Sequence, residues 1–268
     1  MVSTALSEKK IISKLSKVNL KHFEGLKIIE KTESTNDLAK LYSKRFLQKN
    51  KTFGFFAEEQ TQGRGRNQNQ WYSPKNKNIY FSLAWAPTVS LAELEGLSLA
   101  VGCEISNSLS KLLNQVIKIK WPNDLIINNK KVGGILIETS TTIDRLQVII
   151  GIGINALMSK KDFYKIDQKV TSLKFHSNKN IDRNEIASSI LNSSINLVQN
   201  FPKRGISFYK NKFQSLDILL NNKCMVSQGP KEYVGIGAGI DLSGRLLLKT
   251  DKEIKKFSYG VSSVKIID

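Results

Sequence analysis

Hydrophobic and polar positions along the first part of the chain switch repeatedly between two periods. A period of two residues predicts strands, and a period of three to four predicts amphipathic helices. Strands are predicted at Leu26–Lys31, Gly54–Gln60, Asn78–Ala86, Val116–Trp121, Asp124–Ile127, Val132–Glu138 and Leu146–Ile154. Helices are predicted from Ser34 to about Phe46, over Leu91–Leu113 as the longest, over Arg183–Gln199 and near Ile206–Ser215. Interleaved strands and helices predict the α/β (α+β) class with a mixed sheet.

The pattern changes after Leu216. Short apolar runs follow, separated by turns that contain Gly and Asp, near Cys224–Gln228, Tyr233–Ile240, Arg245–Thr250 and Ile254–Phe257. They predict a small all-β unit that resembles a barrel. Residues 3–17 are rich in lysine and weakly amphipathic, which leaves a short helix or a loose arm open. We therefore expect an N-terminal arm at 1–25, a main domain at 26–216 and a small C-terminal domain at 217–268.

The amino-acid composition limits the classes of protein and the kinds of catalytic site that the chain can form. With 268 residues, 40% hydrophobic and 24% charged, the chain can bury a sizeable core. No apolar run reaches the length of a membrane span and Met1–Leu20 has no apolar signal core, so we expect a cytoplasmic protein. Cys103 and Cys224 lack a CxxC spacing, and the two histidines lack neighbours that would suggest a metal site or a serine triad. We expect neither catalysis through imidazole nor a metal site built from side chains.

The net charge of +18 comes from 41 basic and 23 acidic residues. Such a field attracts anions, among them nucleotides, acidic proteins and nucleic acids. The chain is also rich in Lys, Asn and Ile together, the bias that AT-rich coding produces. Charge alone therefore does not decide the function.

The loop Thr61–Tyr72 contains the most informative motif, Gly63-Arg64-Gly65-Arg66. Glycines let a backbone approach a ligand closely, and arginines supply planar forks for carboxylate or phosphate. Gly-Arg repeats also occur in disordered RNA-binding segments. Here the repeat occurs once, between two predicted strands, and Trp71 follows it. This context favours a folded anion-binding loop.

Two further motifs lie at predicted strand ends. Lys120-Trp121-Pro122-Asn123-Asp124 presents an amide and a carboxylate, and the hairpin returns through Lys131 and Gly133–Leu136. Polar groups beside a Gly-Gly approach are typical of a small-molecule site. Gly151–Asn155 superficially fits a dinucleotide-binding GxGxxA motif. No amphipathic helix begins at Ala156, so a strand end that brings the Asn155 amide to a ligand is favoured.

The motifs Glu33–Asn36, Gly63–Arg66 with Trp71, Lys120–Asp124 with Lys131 and Gly134–Leu136, and Gly151–Asn155 occur in one order along the chain. In that order they resemble the motif series of biotin–protein ligases. The resemblance is strong over residues 28–156 and weaker in the C-terminal unit. It implies a class II synthetase-like catalytic domain followed by an SH3-like β-barrel. It also implies formation of biotinyl-5′-AMP from biotin and ATP with Mg²⁺, and transfer of biotin to a lysine of a biotin carboxyl carrier protein.

The resemblance also implies the site. The biotin-binding residues would be Ser34, Thr35, Asn36, Gln60, Arg64, Gly65, Arg66, Lys131, Gly134 and Leu136. The adenylate-binding residues would be Arg64, Trp71, Asn123 and Asn155. Arg66 and Lys131 would be catalytic, because joining a carboxylate to a phosphate brings two anions together and cations must offset their repulsion. A loop that closes over the mixed anhydride would keep water from it.

The sequence departs from the family pattern in two places. Asn67-Gln68-Asn69-Gln70 stands where the family loop has a glycine and another basic residue, so the loop has lost charge and a hinge. Lys118, Lys120 and Lys130 are candidates to compensate electrostatically. Tyr259–Ser262 stands where a Gly-Glu pair is common in the last strand.

Several alternatives remain open. A lipoate or octanoate ligase or transferase has a similar fold, although its arginine-pair and glycine-triplet motif is absent. A nucleic-acid-binding protein and a non-catalytic biotin binder are the others. Ser34 and Thr35 can be simple helix caps, and Trp85 and Trp121 are expected in the core. The residues before Leu26 are too few for a helix-turn-helix, so we expect ligase activity without DNA binding, in a monomer or homodimer.

Overall fold

The computed structural model describes residues 5–141, 145–260 and 263–267. Its main sheet has seven strands: β1 (Phe23–Thr32), β2 (Thr52–Gln60), β3 (Ile79–Trp85), β4 (Lys118–Lys120), β5 (Asp124–Ile127), β6 (Lys130–Thr141) and β7 (Leu146–Ile154). Their order is β1-β2-β3-β7-β6-β5-β4. The β1–β2 pair is parallel and the other pairs are antiparallel. The predicted mixed sheet is therefore confirmed.

The helices are α1 (Glu8–Ile12), α2 (Lys17–Leu20), α3 (Thr35–Arg45), α4 (Leu97–Leu113), α5 (Lys160–Phe163) and α6 (Arg183–Leu216). Helices α4 and α6 pack on one face of the main sheet and contribute to the larger hydrophobic core. Helix α3 covers the opposite face, where Ala39 packs with Phe53 and Phe55 in a smaller cluster. Strand β3 is consequently buried on both faces.

The predicted lengths of two helices were wrong. Helix α4 begins at Leu97 rather than Leu91, because Gly96 takes a left-handed conformation with φ of 78° and ends a preceding turn of 3₁₀ helix. The longest helix is α6, which joins the two segments predicted at 183–199 and 206–215. Gly205 interrupts it with φ of 59°, so both predicted segments lie in one kinked element. Strand β4 is also shorter than predicted, since Val116 is exposed and Trp121 already lies in the turn.

The N-terminal segment forms helices and packs on the main domain. Ile11 is completely buried and belongs to the larger core. The backbone N–H of Leu6 donates to Glu58 Oε1 at 2.7 Å, and that of Ser7 donates to Asn184 Oδ1 at 2.7 Å. Of the two possibilities for this segment, the structure has the helix.

The C-terminal unit is a five-stranded antiparallel sheet. Its strands are β8 (Lys223–Gln228), β9 (Lys231–Ile240), β10 (Leu246–Lys249), β11 (Ile254–Phe257) and β12 (Ser263–Ile266), in the order β11-β10-β9-β8-β12. The pattern did not predict β12. Trp121 connects this unit to the main sheet: its Nε1 donates to the Gly244 carbonyl at 3.0 Å, and its ring stacks on Tyr259.

The residues expected in the core are there. Trp85 and Trp121 are buried, as are the free thiols of Cys103 and Cys224. Burial raises the pKa of Cys103 to about 12, so this thiol stays protonated at neutral pH. Within the described ranges, no helix is both long enough and apolar enough to cross a bilayer.

Asp217, at the junction of α6 and the C-terminal unit, gives a prediction about stability. Burial raises the pKa of its carboxyl from 3.8 to about 6, although Oδ1 accepts a hydrogen bond from the Leu219 N–H at 2.9 Å. The folded protein therefore holds this proton more tightly than the unfolded chain. The stabilisation that results is present below pH 3.8 and is lost as the pH rises through about 6.

We expect Asp217→Asn to remove this pH dependence. Urea unfolding of both proteins at pH 4 and pH 7 measures it. The stability of the wild type relative to the variant should fall by roughly 2–3 kcal/mol between these pH values. An unchanged difference would show that Asp217 titrates with its ordinary pKa.

Candidate functional site

A cavity of about 590 Å³ opens at the edge of the main sheet where β2 and β7 end and β3, β5 and β6 begin. All the residues predicted for the site line it: Ser34, Thr35, Asn36, Gln60, Arg64, Gly65, Arg66, Trp71, Asn123, Lys131, Gly134, Leu136 and Asn155. Arg66 and Lys131 therefore share one cavity. Had they lain on opposite faces of the molecule, the shared anion site expected from the sequence would have been excluded.

One wall of the cavity is a hydrogen-bonded network at the start of α3. The Thr35 N–H and hydroxyl donate to Gln60 Oε1 at 2.9 and 3.1 Å. The Gln60 Nε2 group donates to Ser73 Oγ at 3.0 Å. Because Gln60 ends β2 and Thr35 begins α3, this network holds the helix start against the strand end.

Asn36 is fixed from two sides. Its Nδ2 donates to Glu138 Oε2 at 2.6 Å, and its Oδ1 accepts from the Ser82 hydroxyl at 2.5 Å. Gly151 makes room for the side chain, since a Cβ there would lie 2.4 Å from Asn36 Oδ1. The sequence interpretation missed Ser82 and Glu138. A serine in the middle of an apolar strand was the available signal for Ser82.

Ser34 occupies the N-cap position of α3, but its side chain makes no capping hydrogen bond. The residue is 3% exposed and lines the cavity. Helix capping by its hydroxyl therefore does not account for a serine here.

Arg64 is already paired in this structure. Its Nη1 and Nη2 donate to the two carboxylate oxygens of Asp37 at 2.6 and 2.7 Å, and Glu138 lies 3.6 Å away. The guanidinium lowers the pKa of Asp37, and the hydrogen bonds to Asp37 raise the pKa of Arg64. Two carboxylates thus offset the charge of Arg64, and the pair with Asp37 holds the loop Thr61–Tyr72, the arginine loop, against α3.

Arg66 and Lys131 have different partners. Arg66 is half-buried and donates through Nη2 to the backbone carbonyl of Tyr259, and burial lowers the pKa of its guanidinium. Lys131 Nζ lies 2.8 Å from Asp124 Oδ1 and 5.4 Å from the centre of the Trp71 ring. Only one of these two cations therefore has a carboxylate within ion-pair distance.

Trp71 lies on the floor of the cavity, over two glycines that face each other on β6 and β7. Gly134 and Gly153 are register partners. A Cβ on Gly153 would lie 2.5 Å from Trp71 Cε2, and one on Gly134 would lie 3.3 Å from Cζ3. The indole Nε1 is buried and has no hydrogen-bond partner among the described residues. The ring thus contacts Gly134, a residue predicted for the biotin end, although Trp71 was predicted on the adenine side.

The amides of Asn123 and Asn155 are used inside the protein. Asn123 Nδ2 donates to the Ile135 carbonyl at 2.8 Å, and Asn155 Nδ2 donates to the Thr171 carbonyl at 3.1 Å. A nucleotide contact from either residue must use the carboxamide oxygen or replace that bond. As expected, β7 ends at Ile154 and no dinucleotide-binding helix follows.

In the segment Asn67–Gln70, where the sequence departs from the family pattern, two residues have backbone angles that glycine adopts most easily. Asn67 and Gln68 have φ of 54° and 61°, in the left-handed region. Asparagine tolerates this region, whereas a residue such as glutamine is destabilised there by roughly 1–2 kcal/mol. The loop therefore adopts this conformation at a cost that glycine would avoid.

The described residues hold no group of three His, Cys, Asp or Glu side chains placed to bind a metal. His176 instead lies with Nε2 2.7 Å from Thr171 Oγ1.

The chain is similar to biotin–protein ligases both in sequence and in fold. A family model described as the biotin/lipoate A/B protein ligase family matches residues 28–155. The bifunctional ligase/repressor BirA of Escherichia coli is 35% identical over 210 residues, covering 78% of this chain and 65% of that protein. The biotin–[acetyl-CoA-carboxylase] ligase of Paracoccus denitrificans is 27% identical, covering 72% of this chain and 82% of that protein.

Among solved structures, the biotin protein ligase from Aquifex aeolicus in complex with biotin and ATP is similar, with a TM-score of 0.75 and 26% identity. The match covers 91% of this chain and 100% of that one. The chain thus shares the α/β fold of that biotin protein ligase, with a seven-stranded mixed sheet and a C-terminal antiparallel sheet. The match to the biotin/lipoate A/B protein ligase family covers slightly less than half of the chain. The chain spans slightly less than two thirds of the length of the BirA proteins that it matches.

The close packing of Trp71 on Gly153 gives a prediction. We expect Gly153→Ala to displace the indole, because its Cβ would overlap the ring. The stability should fall by roughly 1–3 kcal/mol, as in an overpacked core, and the tryptophan emission should shift. Urea unfolding followed by fluorescence measures both.

Gly260→Ala is the matched control, since a Cβ on Gly260 meets nothing within 4 Å. It should leave both properties close to those of the wild type. Equal stability and emission of Gly153→Ala and the wild type would contradict the packing of Trp71 described here.

Proposed function

We propose that this protein is a biotin–protein ligase, which forms biotinyl-5′-AMP from biotin and ATP and transfers biotin to a lysine of a biotin carboxyl carrier protein. The observation that carries the proposal is the presence of Arg66 and Lys131 in one cavity with the Thr35–Gln60 network. The carrier and the reaction extend to this chain what the names of its relatives say of those proteins.

In the first step, a carboxylate oxygen of biotin attacks the α-phosphorus of ATP. A bond forms between that oxygen and phosphorus, and the bond to the bridging oxygen breaks, so that pyrophosphate leaves. Two anions must approach each other for this attack. Arg66 and Lys131 would lower the barrier by placing positive charge where the negative charge accumulates. Lys131 is available only if the biotin carboxylate replaces Asp124 as its partner.

In the second step, the neutral ε-amine of the carrier lysine attacks the carbonyl carbon of the mixed anhydride. The amide forms, AMP leaves, and the amine loses a proton. This step needs positioning and a polarised carbonyl rather than an enzyme nucleophile. The cavity is lined by amides and cations, and Cys103 is buried in the core. These features fit a step that uses no enzyme nucleophile.

The arginine loop would protect the biotinyl-5′-AMP intermediate from water. Water hydrolyses a mixed anhydride, so the loop has to cover it until the carrier arrives. The bidentate Arg64–Asp37 pair supplies an anchor for the covering position. Release of this pair would open the cavity.

Magnesium would enter as part of the ATP substrate and neutralise phosphate charge. Since the described residues supply no metal cage, phosphate oxygens and water would be its main ligands. The carrier domain would dock on a strongly basic protein, and an acidic carrier surface would suit it. A cytoplasmic location and a monomeric or homodimeric state remain predictions, as does the absence of DNA binding.

Biotin-dependent exchange of pyrophosphate into ATP tests the first step directly. The wild type should exchange with biotin and not with lipoate or octanoate. Arg66→Ala and Lys131→Met should each lower kcat/KM by roughly 100-fold or more, as expected for loss of a cation that stabilises developing charge. Arg45→Ala and Lys130→Met are controls, because both side chains are exposed and lie outside the cavity.

Labelling of a carrier domain with biotin tests the second step. Exchange with lipoate but not biotin would favour the lipoate alternative. Binding of biotin without exchange would indicate a non-catalytic binder. Full activity of both Arg66→Ala and Lys131→Met would contradict the assigned roles.

A further inference from the structure

The cations that line the cavity differ in what holds them. Two carboxylates neutralise Arg64, the Tyr259 carbonyl binds Arg66, and Asp124 pairs with Lys131. Lys165 is exposed to solvent and lies over the Tyr72 ring. The remaining cation is Lys120, which the sequence suggested only as one of three lysines that could compensate for the uncharged loop.

Lys120 is half-buried at the end of β4, and its side chain lines the cavity. Its Nζ makes no hydrogen bond and no ion pair with any residue that the structure describes. It is the register partner of Asp124, whose carboxylate is already bound to Lys131 at 2.8 Å. Of the other lysines considered, Lys118 and Lys130 are exposed and do not line the cavity.

The electrostatic environment adds a second argument. Burial lowers the pKa of Lys120, and the positive charges of Lys131 and Lys265 lower it further, while Asp124 acts in the opposite direction. A half-buried ammonium near other cations is unfavourable. An anion that binds against Lys120 would offset this cost.

The loop explains why an additional cation is needed. Asn67, Asn69 and Gln70 line the cavity without charge, in the segment where the sequence had lost a basic residue. Magnesium would neutralise part of the charge of a polyphosphate, and Lys131 is assigned to the carboxylate. A further protein cation near the phosphates would offset the remaining repulsion.

We propose that Lys120, at the end of β4, binds the phosphates of the nucleotide. This inference rests on the proposed function for the identity of the nucleotide. The ligand class is a nucleoside polyphosphate, and the recognised group is the phosphate chain rather than the base.

Equilibrium binding separates this role from a structural one. The affinities of the whole protein for ATP and for adenosine are measured by calorimetry, with biotin present. Lys120→Met should weaken ATP binding at least tenfold and leave adenosine binding unchanged, because methionine keeps the side-chain length without the charge. Lys120→Arg should retain most of the ATP affinity, since it restores the cation.

Lys118→Met and Lys130→Met are the matched controls and should bind ATP like the wild type. Thermal unfolding confirms that each variant is folded, and Lys120→Met should be no less stable than the wild type. Equal weakening of ATP and adenosine binding, or no weakening of either, would overturn the inference. In the exchange assay, Lys120→Met should raise the KM for ATP and leave the KM for biotin unchanged.

The assays distinguish two kinds of failure. If the wild type catalyses no biotin-dependent exchange, the proposed function fails, while the comparison of ATP with adenosine still tests Lys120. If exchange occurs but Lys120→Met binds ATP normally, only the inference about Lys120 fails.

Discussion

The carboxylate of Asp124 is the charge on which the arrangement of the cavity depends. It bonds to Lys131 and faces Lys120 across the β4–β5 pair, and its field also reaches Arg66. Asp124 thus offsets part of the repulsion among three neighbouring cations. In the proposed reaction, the biotin carboxylate would compete with Asp124 for Lys131.

The residues predicted for the site line one cavity because most of the motifs lie where a strand or helix begins or ends. Lys131 and Gly134 lie near the start of β6, Gly153 and Asn155 at the end of β7 and Gln60 at the end of β2. Strand periodicity predicts these ends, and antiparallel pairing brings them to one edge of the sheet. The functions assigned to them came from the family resemblance and stay predictions for the individual side chains.

The partners of these residues could not be predicted in the same way. Glu138 is 102 residues from Asn36 in sequence, and their bond requires the strand order β3-β7-β6, which periodicity does not give. The Arg66 bond to the Tyr259 carbonyl likewise requires the packing of the C-terminal sheet on the main sheet. Local backbone conformation was the other source of error. Gly96 ends a turn and Gly205 kinks a helix, but in a sequence either glycine is equally compatible with a continuous helix.

The network of Gln60, Thr35, Ser82, Asn36 and Glu138 has a consequence for recognition. Each side chain in it is oriented by a neighbour from a different element, so rotamer entropy is lost when the chain folds and not when a ligand arrives. Donors and acceptors fixed in this way also reject molecules whose polar atoms do not match them, because a buried group left without a partner is destabilising. A network oriented in this way before any ligand binds favours selectivity between small molecules of similar size.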